Sequence, residues 1–270
     1  MPARAAATPA LRLRCGVHVV RRDPRHVQVG LDPPQRVILA SDPDTLAVLD
    51  VLSGGPVPGS GSPDLPEAAW ARVVRRLREA DLLVDDEQSQ RGGGTVAILG
   101  SPIDDGRTAR DLAEVLTTVG IPVVAAQQAP DVVVVCADGP LPRASVDPWV
   151  AEGTPHLVLS GTGSPGSWRI GPLVEPGVTA CLRCIDAAEA TDDPRRPLLL
   201  AQLAQLTAAP LSPLTRSFGL AWAARDLMAF LAGDSASTSS ATVDVHHPVP
   251  RLRRWPRHPE CGCCWDELPY

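Results

Sequence analysis

Two short cysteine clusters constrain this chain more than any other feature. Cys181-Leu182-Arg183-Cys184 is answered about 80 residues later by Cys261-Gly262-Cys263-Cys264. Zinc takes four soft or borderline ligands in a tetrahedron, and a CxxC places two thiolates on one side of such a site. One CxxC alone is ambiguous between metal and redox chemistry, whereas a second cluster favours a metal. The expectation is a structural zinc held by Cys181, Cys184, Cys261 and either Cys264 or Cys263. CxxC spacing favours Cys264. A site closed by four thiolates has no open position for chemistry, so this metal would clamp the chain rather than react.

The remaining composition narrows the class. A chain of 270 residues buries a real core and suits one large or two smaller domains. The net charge of −6 argues against nucleic-acid binding through bulk electrostatics. No run approaches 18 apolar residues, and Met1 to Ala10 lacks a signal-peptide core, so a cytoplasmic protein away from membranes is expected. Five of the seven cysteines fall in the two clusters, which suits a reducing compartment. Cys15 and Cys136, in apolar surroundings, read as plain core residues. All 25 basic residues are arginine, which removes any mechanism needing a lysine on a phosphate or in a Schiff base.

Residues 1–88 read as a small α+β module of winged-helix type. Strands are expected over Leu11–Val20, His26–Leu31 and Arg36–Ala40, broken by Asp23-Pro24 and Asp32-Pro33-Pro34. A helix capped by Ser41 or Asp42 ends at Gly54-Gly55, and a second starts at Pro66. The second helix carries Trp70, Val73, Val74 and Leu77 on one face and four arginines mostly on the other. Leu82 to Val84 reads as a return strand. Such a module binds DNA or accepts an extended peptide as an added strand. For the peptide, Val27, Val29 and Leu31 or Val37 and Leu39 supply the candidate pairing edge, with Trp70, Val74 and Leu77 lining the groove.

Residues 89–94, ending in Gly92-Gly93-Gly94, read as a linker. Residues 95–270 then alternate apolar strands (Thr95–Gly100, Ile121–Ala125, Asp131–Cys136 and Pro155–Ser160) with helices, the first over Arg107–Thr118, the pattern of a Rossmann-like, mostly parallel sheet. The nucleotide signature is missing where it should stand. A dinucleotide fold wants GxGxxG after its first strand so that backbone can approach a pyrophosphate. Here Gly100 is followed by Ser101-Pro102-Ile103-Asp104-Asp105-Gly106, with a proline that has no amide and two carboxylates that repel phosphate. Gly161 to Gly166 reads as a hairpin turn, and His258, His246 and His247 as ordinary surface or loop residues.

Against this background the segment Gly171-Pro172-Leu173-Val174-Glu175-Pro176-Gly177-Val178-Thr179-Ala180-Cys181-Leu182-Arg183-Cys184 resembles the stretch that introduces the first zinc pair in ThiF-type, ubiquitin-activating-like proteins. His258-Pro259-Glu260-Cys261-Gly262-Cys263 resembles the terminal pair of actinobacterial members, which favours Cys263 as the fourth ligand. Val27-Gln28-Val29-Gly30-Leu31-Asp32-Pro33-Pro34 is similar to the opening of members with a PqqD-like peptide-recognition module. The resemblance implies one of two activities. Active members adenylate a protein C-terminus with ATP. The other branch keeps fold and zinc, has lost the ATP site, and binds the leader of a ribosomal precursor peptide for a YcaO-type cyclodehydratase. The missing glycines and lysine fit the second branch. Relatives often form homodimers. An adenylating enzyme and a DNA-binding regulator with a zinc-bearing domain stand as the alternatives, in that order.

Overall fold

The computed structural model describes residues 11–54, 65–85, 94–245 and 249–263. Contacts divide the chain into two units, Met1–Arg91 and Gly92–Tyr270.

In the first unit, β1 (Leu11–Leu13) pairs antiparallel with β5 (Leu83–Asp85). A separate antiparallel sheet is ordered β2-β3-β4, from β2 (Val19–Asp23), β3 (His26–Val29) and β4 (Val37–Ala40). The single strand expected over Leu11–Val20 is thus two strands in different sheets. Gly16, at a φ of +80°, lies in the stretch that parts them. Cys15 sits in the same stretch and is exposed, which corrects its expected place in the core. Helix α1 (Pro43–Leu52) begins at Asp42, whose carboxylate accepts from the Thr45 amide at 2.9 Å and hydroxyl at 2.8 Å. Those bonds favour the charged form and hold the Asp42 carboxyl below its usual range. Helix α2 (Glu67–Glu79) buries Val73, Val74 and Leu77 against Val27, Val29, Val37, Leu39 and the inner face of α1, with its arginines outward. These described elements make an α+β unit; they do not by themselves define a winged helix.

The second unit is built on a seven-stranded sheet ordered β12-β11-β10-β9-β8-β6-β7. Its strands are β6 (Val96–Gly100), β7 (Val123–Val124), β8 (Val132–Cys136), β9 (His156–Gly161), β10 (Trp168–Val174), β11 (Ala241–Val245) and β12 (Arg251–Arg254). Strands β7, β6, β8 and β9 are mutually parallel. A hairpin after Gly161 turns the sheet antiparallel, and β10, β11 and β12 follow with alternating direction. The sheet is therefore mixed, with five strands running one way and β10 and β12 the other. Strand β7 is shorter than expected because Ile121 gives its amide to the end of the preceding helix and Pro122 has none to give.

Helices cover both faces, as continuous apolar strands require. On one face, α3 (Arg107–Thr118) and the long α7 (Pro213–Leu231) pack Leu112, Leu116, Leu220, Ala223 and Leu227 against Val132, Val134, Leu157, Leu159 and Ile170. On the other, α5 (Leu182–Asp192) sets Ile185 and both cysteines of the CxxC against Val133, Val135, Val158 and Val174. The short α4 (Asp147–Ala151) and α6 (Arg196–Leu203) complete the described helices. None of them is long and apolar enough to cross a membrane.

One glycine shows how tightly α7 is seated. A Cβ at Gly219 would lie 2.4 Å from the ring of fully buried Trp168, whose indole N–H donates to the Ala137 carbonyl at 2.9 Å. Alanine normally improves a helix interior by about 1 kcal/mol over glycine. Here the overlap reverses the sign, and Gly219→Ala is expected to destabilise the protein by about 1–3 kcal/mol in urea unfolding.

Candidate metal centre and the strand-tip crevice

The metal cluster is assembled from two helical turns. Cys181 occupies the cap position of α5 and Cys184 lies in its first turn, three residues on, so both sulfurs project from one helix end. Both are buried, while Cys261 and Cys263 arrive half-buried from the far end of the chain. Gly262 lies between them at a φ of +76°, a left-handed conformation that glycine adopts without strain and that returns both thiols to the same side. Sγ of Cys181 is 3.3 Å from Cys261 and 3.8 Å from Cys184, and Cys184 is 3.5 Å from Cys263. All four sulfurs fall within 4.8 Å of one another. Zinc–sulfur bonds of about 2.3 Å in a tetrahedron require sulfurs about 3.8 Å apart. A metal ion fits between these four cysteines.

Hydrogen bonds favour the charged form of one thiol of the cluster. Cys184 is pushed below the usual thiol range, first by a hydrogen bond from Cys181, and further by the His258 amide at 3.3 Å and the thiol of Cys263. Cys181, the donor of that bond, is pushed up. His258 therefore serves through its backbone, while its Nδ1 accepts from the Glu260 amide at 3.3 Å. Cys264, His246 and His247 lie outside the described residues.

The second site of interest is the crevice at the tips of β6 and β8, where the chain switches from one side of β6 to the other. Open α/β sheets bind ligands at such switch points. Here the chain's own carboxylates occupy the donors. Asp104 accepts from the Asp138 amide at 2.8 Å, and Asp105 accepts from the Arg107 amide at 2.8 Å, at the N-terminus of α3. Arg216, buried on α7, is also committed. It reaches the Asp138 carboxylate at 3.2 Å and the Thr108 hydroxyl at 3.2 Å, while Thr108 donates to Asp138 at 2.5 Å. Burial raises the Asp104 carboxyl, and the charges of Asp138 and Asp105 raise it further. Burial beside Asp104 and Asp138 pushes Cys136 up to about 12, which makes it the inert core thiol expected of it.

The peptide-binding candidates fall in two places. Val27, Val29, Val37, Leu39, Val74 and Leu77 have side chains buried in the first unit's core, Trp70 is half-buried beside them, and Leu31 is exposed. Strand β3 is paired on both sides, so Val27 to Val29 present no open edge; β4, with Val37 and Leu39, is an edge strand of that sheet. Two features were missed in the sequence. Helix α5 was hidden because the CxxC read as a turn, although Leu182, Ile185 and Glu189 follow a helical period. The Thr108–Asp138–Arg216 group joins residues from three distant segments, and no local pattern announces it.

Together these features define a Rossmann-like unit with a four-cysteine cluster and a carboxylate-filled strand-tip crevice, preceded by an α+β unit. No family profile and no curated protein matches the chain. Solved structures do share its fold. A heterocyclase in complex with substrate and cofactor matches at a TM-score of 0.71 and 17% identity, over 95% of this chain and 40% of its own. The heterocyclase TruD matches at 0.69 and 19%, over 95% and 43%. Escherichia coli MccB with succinimide matches at 0.58 and 14%, over 94% and 98%. The chain thus spans about two fifths of the length of the two heterocyclases.

Two measurements check these sites. Elemental analysis of the unaltered protein is expected to find a metal; Cys181→Ser is expected to lose it and to lower the melting temperature, as chelation is expected to do to the unaltered protein. Asp104→Asn keeps an acceptor for the Asp138 amide but removes a crowded charge. Because the folded-state value is raised, ionisation costs stability as pH rises. The variant is expected to melt above the unaltered protein at pH 7, the gap closing as pH falls below the unfolded value of about 3.9.

Proposed function

We propose that this chain is a zinc-stabilised, non-catalytic partner in the biosynthesis of ring-modified ribosomal peptides. Its first unit takes the leader of a precursor peptide as an added strand, and its second unit docks the YcaO-type cyclodehydratase that performs the ATP chemistry. The observation that carries this reading is the strand-tip crevice. A triphosphate needs free amides at the first turn and helix N-terminus. Here Asp104 accepts from the amide at the tip of β8 and Asp105 from the amide that opens α3. The one buried arginine of the crevice is engaged by Asp138 and Thr108.

The four thiols support zinc as the metal, since a closed four-sulfur site without oxygen donors suits zinc and leaves no position for a substrate. The fold shared with two heterocyclases supports the peptide pathway. Those chains carry more than half their length outside the match, and the proposal assigns that part's chemistry to a separate protein. For the leader, β4 is the favoured edge. It is the open strand against which α2 packs, and strand addition draws its affinity from main-chain hydrogen bonds that tolerate inward-facing Val37 and Leu39.

The test uses the full chain with a precursor peptide encoded beside it. Saturable binding is expected, with amide exchange slowed at Val37–Ala40 when peptide is added. ATP is expected to leave the melting temperature unchanged and pyrophosphate exchange at background, since a bound nucleotide would stabilise the folded state by mass action. Peptide binding without protection at β4 moves the site; ATP stabilisation with exchange replaces the reading by an adenylating enzyme.

A further inference from the structure

The first unit carries a groove on the side of its three-stranded sheet away from β4. The groove holds about 960 Å³ and lies where the chain passes from β1 to β2, with the C-terminal end of α1 at one side. Ligand sites commonly enclose about 300–1,000 Å³. Leu13, Val17, Leu52 and Val84 supply an apolar lining. Arg12, Arg14 and His18 also line it and are exposed, and none of the described lining residues is acidic.

Positive charge continues along β2. Arg21 and Arg22 are exposed, and among the described residues neither meets a carboxylate: Arg21 donates to the Asp23 carbonyl at 3.4 Å and Arg22 to the Gln28 side chain. Arg14 is paired with Asp81, but both are exposed, and such a pair is held weakly enough for Arg14 to turn to a ligand carboxylate. The chain as a whole carries −6, so this strip is basic against an acidic background. Strand β2 is paired with β3 on one side only, at the edge of its sheet opposite β4. Open main chain, an apolar lining and arginines beside it together specify an acidic peptide in extended form. Side chains of an added strand alternate between two faces, so one row meets the apolar lining and the other the arginines. The last carbonyls of α1 are acceptors and suit peptide amides. A single-stranded nucleic acid would want aromatic faces for its bases, and no tryptophan, tyrosine or phenylalanine is among the described lining residues.

We propose, resting on the reading of the first unit as a peptide binder, that this groove is a second peptide site, in which an acidic, extended stretch of the precursor adds to the outer edge of β2. Strands added at β2 and at β4 lie four strand spacings apart, about 19 Å, which an extended chain spans in about six residues. One precursor can therefore hold both edges, and two linked sites bind more tightly than either alone.

The test titrates the full chain with the precursor and with a capped probe of about ten residues alternating glutamate and valine, a block peptide of the same composition serving as control. The alternating probe is expected to bind, to slow amide exchange at Val19–Asp23, and to be released as salt rises from about 50 to about 500 mM. Arg12→Glu with His18→Glu is expected to weaken the probe by at least about tenfold. The same variant is expected to bind the precursor more weakly while keeping its protection of Val37–Ala40. Arg21→Glu with Arg22→Glu supplies a second charge reversal should the first fail to fold by its melting curve. A probe that does not bind, binds no better than the block peptide, or is indifferent to both reversals overturns the proposal. So does its displacement by an equal concentration of oligothymidine of about twenty bases, which makes the groove a nucleic-acid site. The two edges fail separately. Precursor protection at Val37–Ala40 without Val19–Asp23 removes this site and leaves the function proposed above standing. Protection at Val19–Asp23 alone supports this site and moves the other.

Discussion

The second unit depends on one contact far along the chain: the meeting of Cys181 and Cys184 with Cys261 and Cys263. Separation in sequence is what gives that contact its weight. Closing a loop of this length costs conformational entropy that grows only slowly with length, while a structural metal returns a large binding energy on folding. The sulfurs lie 3.3 to 3.8 Å apart along the cluster, close enough for a metal and too far for disulfides. The cluster thereby fastens the end of the described chain to the start of α5, and α5 to the face of the sheet.

A second, non-covalent clamp backs the cysteine cluster. Arg169 on β10 is half-buried and donates to Asp244 on β11 at 2.6 Å and to Glu189 on α5 at 3.1 Å. Glu189 also accepts from Arg196 at the start of α6, at 2.7 Å. Burial alone would raise the Glu189 carboxyl; the two arginines outweigh it and hold the carboxyl below its usual range. Trp255 completes the join. Its indole donates to Thr242 at 2.9 Å, and the Arg253 guanidinium stacks 3.8 Å from its centroid. Removing one member of such a network leaves buried charge uncompensated, which costs more than the intact network contributes. The cysteine cluster and the ion pairs thus hold α5, β11 and β12 from two directions.

Local patterns in the sequence carried much of this architecture. The apolar runs at Val96 and Val132, the helix over Arg107–Thr118 and the hairpin after Gly161 are short-range signals, and each element formed where its own residues direct it. What stayed hidden depends on distant neighbours. Strand β7 shrank to two residues because its first amide was claimed by a helix end. Leu11 to Val20 split between two sheets because β1 found its partner in β5, about 70 residues later. Three cysteines of the metal set were legible from spacing. The placement of Cys263 beside Cys184 required the turn at Gly262 to be seen in space.

The strand-tip crevice shows how a Rossmann-like switch point can meet some of its polar groups from within the chain. A nucleotide site is a set of unsatisfied amides held open by glycines, and such a set is costly to keep when nothing binds there. Asp104 and Asp105 each satisfy one such amide from within, and Thr108 and Arg216 satisfy Asp138 in turn. An edge strand such as β4 keeps main-chain donors and acceptors available, because satisfying them internally would require another strand.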